Sequence, residues 1–99
     1  MLPSHAVALA EARSYVAALA DTAVTFDASV EYERALLQLD GTHGDHVPGL
    51  DASGIPDDRD VLFSTAESAI EELADFAVDA LQIELVLAML IAARELDQP

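Results

Sequence analysis

The chain has 99 residues, with 19 Asp and Glu against four arginines (Arg13, Arg34, Arg59, Arg94), no lysine, no cysteine and a net charge of −15. That length builds one domain at most. The composition excludes disulfides and thiolate metal sites, and the charge opposes direct binding to nucleic acid or to an anionic membrane. Hydrophobic residues make up 53%, too high a content, too regularly spaced, for a disordered chain.

The N-terminal stretch Met1-Leu2-Pro3-Ser4-His5 lacks the basic and apolar regions of a secretory signal, so a cytoplasmic location is expected. A first helix is expected over about 3–39, a span without internal glycine or proline beyond Pro3, which suits a first helical turn. Leu2, Leu9, Val16, Ala23, Val30 and Leu37 recur at heptad spacing, with Ala12, Leu19 and Phe26 as a second row. This is the a/d pattern of a helix packed along a seam. Asp21-Thr22-Ala23-Val24-Thr25 is the weak stretch, since β-branched residues lower helix propensity and Asp21 can cap a new helix.

A loop over 40–60 follows. It holds Gly41, Gly44, Gly49, Gly54, Pro48 and Pro56, with Gly41 placed to end the first helix. His43 and His46, with Asp45 between them and Asp40, Asp51, Asp57 and Asp58 nearby, are candidate ligands for a divalent ion such as Zn²⁺. Their spacing matches no calcium loop. His5 stands alone in the sequence.

A second helix is expected over about 61–96. Ser64-Thr65-Ala66-Glu67 fits a capping box. Leu62, Ala66, Ala69, Leu73, Phe76, Ala80, Ile83, Leu87 and Leu90 form its apolar seam, and Ser68, Glu71, Glu72, Asp75, Asp79 and Gln82 its polar face. After Glu84 the helix is apolar on every side through Ala93. Helices of about 35 residues reach ~50 Å, and the loop allows them to return as an antiparallel hairpin. One partner helix cannot cover an all-round apolar segment, so the hairpin is expected to dimerise into a bundle through Phe76, Ile83, Leu87, Leu90 and Ile91. Asp79 and Glu84 inside the apolar run argue against membrane insertion.

Glu84 lies among apolar neighbours and is a candidate buried acid. On a continuous helix Glu72, Asp75 and Asp79 share one face, and three carboxylates so placed can hold Mg²⁺. The stretch Glu72-Leu73-Ala74-Asp75 resembles the E-x-x-D half of the motif of all-α nucleoside triphosphate pyrophosphohydrolases. The resemblance implies Mg²⁺-dependent hydrolysis of a nucleotide at those acids. It covers about five residues, and the E-x-x-E that such enzymes carry on an earlier helix is absent, with only Asp27 and Glu31 in its place. No G-x-S-x-G turn, phosphate loop or E-x-x-H pair occurs. The leading expectation is a non-enzymatic acidic helical protein that self-associates and binds a protein partner, as an adaptor, inhibitor, immunity protein or antitoxin does. The alternatives are the Mg²⁺-dependent pyrophosphohydrolase and a nucleic-acid mimic that inhibits a basic protein.

Overall fold

In the computed structural model the described residues are 3–43, 54–76 and 78–98. They form four α-helices: α1 Pro3–Asp21, α2 Phe26–His43, α3 Arg59–Glu72 and α4 Ala80–Leu96, with a 3₁₀ turn, Leu73–Phe76, between the last two. No strand occurs among them. The molecule measures 39 × 29 × 21 Å, with a radius of gyration of 12.4 Å. A straight hairpin of ~50 Å helices does not fit those dimensions. Each of the two expected long helices is in fact folded in half.

The first break is built by threonines. The Thr22 hydroxyl donates to the Ala18 carbonyl at 2.7 Å, within the last turn of α1. Thr25 then starts α2: its carbonyl accepts from Ser29 N at 3.1 Å and its Oγ1 from Ala28 N at 3.1 Å. That is N-cap geometry, and it belongs to Thr25 and not to Asp21. The second break is the more informative, because the sequence reads through it as one helix. Asp79 Oδ1 accepts from Leu81 N at 2.8 Å and Gln82 N at 3.4 Å. An aspartate that satisfies the free N–H groups of a helix start is better placed there than in a helix interior.

Two further termini differ from expectation. The cap of α3 is Asp58, whose Oδ1 accepts from Asp60 N at 2.9 Å and Val61 N at 3.3 Å. Ser64, expected as the cap, lies inside α3 and its hydroxyl donates to the Val61 carbonyl at 3.3 Å. Gly41 does not end α2, which runs on to His43; the described glycine with a left-handed backbone is Gly54, φ 76°.

The pairing also departs from a hairpin. A straight hairpin would set α1 against α4 and α2 against α3. Instead α1 packs on α2 and α3, and α2 on α1 and α4. Both cross pairs are antiparallel: the start of α3 lies by the end of α1 (Arg59 to the Leu19 carbonyl, 3.3 Å), and the start of α4 by the end of α2 (Gln38 Nε2 to Gln82 Oε1, 2.6 Å).

The core lies between the four helices. Among the described residues, eight of the twenty buried apolar ones are alanines, Ala12, Ala28, Ala35, Ala66 and Ala93 among them, each fully enclosed. Small side chains let the helix backbones approach closely, and Leu9, Val16, Leu19, Ile70, Leu73, Val86 and Leu90 fill the remaining space. The accessible surface is 5562 Å², close to the ~5,400 Å² of an ordinary folded monomer of this mass. The chain therefore encloses its core without a second copy. Of the residues expected at a dimer interface, Ile83 and Leu90 are buried inside this core, and Phe76 and Leu87 pack half-buried against it. Ile91 remains exposed.

Candidate functional site

The turn between α1 and α2 shifts the helical phase. In α1 the expected seam holds: Leu9, Ala12, Val16 and Leu19 are buried. In α2 the buried set becomes Ala28, Tyr32, Ala35 and Leu39, and the continuation of the heptad row, Val30 and Leu37, points outward with Phe26. Phe26 is 82% exposed and Leu37 69%. α4 repeats the arrangement, with Ile83, Val86, Leu90 and Ala93 inside and Leu81, Leu85, Ile91 and Leu96 outside. Among the described residues, seven of the ten exposed large apolar side chains lie on these two neighbouring helices. Phe26, Val30 and Leu37 fall at i, i+4 and i+11, and Leu81 and Leu85 at i and i+4, so each helix carries an outward apolar stripe. Carboxylates edge the stripes: Asp27 and Glu33 on α2, Glu84 and Glu95 on α4, all exposed. Glu84 is thus a solvated rim residue and not a buried acid.

Two polar clusters lie elsewhere. Asp97, just past α4, accepts from Val24 N at 2.7 Å and pairs with Arg59, whose guanidinium also reaches the Thr22 hydroxyl and the Leu19 carbonyl. The Thr25 hydroxyl donates to the Leu96 carbonyl at 2.7 Å. These contacts tie the end of α4 to the α1–α2 turn and the start of α3. Tyr32 sits below them, and burial, followed by the nearby Asp97, raises its pKa above the usual phenol value. A cleft of about 210 Å³ opens beside this cluster. Both of its arginines are engaged: Arg59 as above, and Arg94 over the Phe63 ring at 4.4 Å and 3.8 Å from Asp60.

The second cluster joins the start of α1, the end of α2 and the 3₁₀ turn. His5 Nε2 lies 3.0 Å from His43 Nε2, and the His5 ring stacks on Phe76 with centroids 5.0 Å apart and planes inclined by 5°. His43 Nδ1 lies 3.0 Å from the Leu39 carbonyl. Burial, then the neighbouring His43, holds the His5 pKa below the usual histidine value. Beside this cluster Arg13 clamps Asp40, Nε to Oδ1 at 2.7 Å and Nη2 to Oδ2 at 3.3 Å.

The expected Mg²⁺ ligands are not gathered. Glu72 ends α3, Asp75 lies in the 3₁₀ turn, and Asp79 caps α4, so the three acids share no helix face. Among the described residues no group of three or more His, Asp or Glu side chains is placed to hold a metal ion. His43 meets His5; His46, Asp45 and Asp51 lie outside the described residues. No described helix is long and apolar enough to cross a membrane. No protein-family model, no curated protein and no solved structure matches the chain.

Proposed function

We propose that the protein is a non-enzymatic interaction module that pairs with a second copy of itself through the outer face of α2 and α4. The observation that carries this reading is the concentration of exposed apolar side chains on these two antiparallel neighbours, seven of ten in the described residues. A helix apolar on two sides is built to be covered on two sides, and the core covers only one. Face-to-face packing of two α2–α4 pairs is a closed two-fold arrangement, the commonest in oligomers. Burying each such side chain contributes on the order of 1 kcal/mol at these exposures. The net charge of −15 is complementary to a basic protein and repels nucleic acid.

Leu37→Asp and Leu81→Asp test the reading. Both positions are exposed in the single chain, so helicity and the melting transition of the monomer should persist. Sedimentation velocity should show two-chain mass for the wild type and one-chain mass for each variant. Variants that keep the wild-type mass would remove this face from the account.

A further inference from the structure

We propose that His5 and His43 form a binding site for a divalent transition-metal ion, Zn²⁺ in the first instance, where the start of α1, the end of α2 and the 3₁₀ turn meet. Two imidazole nitrogens on a tetrahedral zinc, each at 2.0–2.1 Å, stand about 3.3 Å apart. The two Nε2 atoms stand 3.0 Å apart, within a few tenths of an ångström of that separation, and a tilt of the two rings would aim both lone pairs at one ion. Both rings are held from behind. His43 Nδ1–H donates to the Leu39 carbonyl at 3.0 Å, which assigns its lone pair to Nε2. A backbone carbonyl on the far nitrogen is the usual support of a metal-bound histidine. His5 is held by its stack on Phe76.

With that tautomer of His43, the present contact is His5 Nε2–H donating to His43 Nε2. Coordination replaces this single hydrogen bond by two metal–nitrogen bonds, and the His5 proton moves to Nδ1. Neutral imidazole is the ligand form, and burial beside His43 already favours neutral His5. No third protein ligand stands with the pair among the described residues, so water completes the sphere and the ion is exchangeable. The net charge of −15 raises the local cation concentration. Zinc is favoured over magnesium or calcium because the donors are imidazoles and not oxygens. The site lies apart from the α2–α4 face, and its test does not depend on the oligomeric state.

The test is thermal unfolding at neutral pH with and without Zn²⁺, on the wild type, His5→Gln and His43→Gln. At free Zn²⁺ about ten times the dissociation constant, the wild-type midpoint should rise by roughly 6–11 °C, and neither variant should respond. Reading the zinc-dependent shift separates ligation from any loss of intrinsic stability. In the wild type, NMR signals of both rings should move together up to one equivalent of zinc. A shift that survives His5→Gln would place the metal on carboxylates or on the 44–53 segment and overturn the assignment. An unresponsive wild type at millimolar Zn²⁺ would do the same.

Discussion

Replacing Asp97 with alanine should cost far more than its place beyond the last helix suggests. Its carboxylate is only 6% exposed and accepts from Arg59 and from Val24 N at 2.7 Å. Hydrogen bonds to a charged group contribute about 1.5–3 kcal/mol each, but the two are not additive. Val24 N lies at the surface, where water replaces the lost acceptor at little cost. Arg59 keeps the Thr22 hydroxyl and the Leu19 carbonyl, and its side chain is 27% exposed, so the penalty for a buried unpaired charge is not reached in full. The expected loss is about 2–3 kcal/mol, out of the ~5–15 kcal/mol typical of a domain. For about 100 residues that lowers the melting midpoint by roughly 8–24 °C, read by far-UV circular dichroism with urea unfolding alongside. Asp97→Asn keeps an acceptor for Val24 and should lose about half as much. In a double-mutant cycle with Arg59→Met, the coupling should exceed ~1 kcal/mol. A loss below ~0.5 kcal/mol, the range of ordinary surface changes, would refute the view that Asp97 fastens the end of α4.

Asp79→Ala should destabilise by about 0.5–2 kcal/mol in urea unfolding, because it removes the N-cap of α4; on an uninterrupted helix alanine would stabilise. Leu90→Ala should cost about 2–5 kcal/mol, since Leu90 is fully buried within one chain, and it should leave the mass in solution unchanged. Stability should also fall as the pH drops below about 6.5. The His5 pKa is lower in the folded chain than its ordinary 6.5, so the unfolded chain binds the proton more readily. The stability is present above 6.5 and is lost as the pH falls through the lowered folded value. Urea midpoints at stepped pH check this, and His5→Gln should flatten the slope below about pH 6.5.

Much of the fold was legible in the sequence. The seam Leu9, Ala12, Val16, Leu19 and its counterpart Leu62, Ala66, Ala69, Leu73 lie buried where their spacing put them. Two local ambiguities hid the rest. Asp79 reads equally as an exposed acid of a long helix and as a cap, and only its bonds to Leu81 N and Gln82 N decide. The heptad row runs unbroken through Ala23, yet the short turn resets the phase, so Val30 and Leu37 face outward while Ala28 and Tyr32 carry the core. An apolar period shows that a helix has a buried side but not which of two apolar sides a neighbour takes. The meetings of His5 with His43 and of Arg59 with Asp97 span 38 residues each, beyond any local pattern. Pairing α1 with α3 follows from the two breaks together, and only the one near Asp21 carries a local signal in its β-branched residues.

The most direct test of the account is the wild-type mass by light scattering after size exclusion, at low and at high salt. Apolar faces edged by like charges should associate more firmly as salt screens their repulsion. Pairing through α2 and α4 gives a two-chain mass that persists or strengthens in high salt. A single-chain mass at both salts, at tens of micromolar protein or above, would contradict it and leave the outer stripes of α2 and α4 without a second copy to cover them.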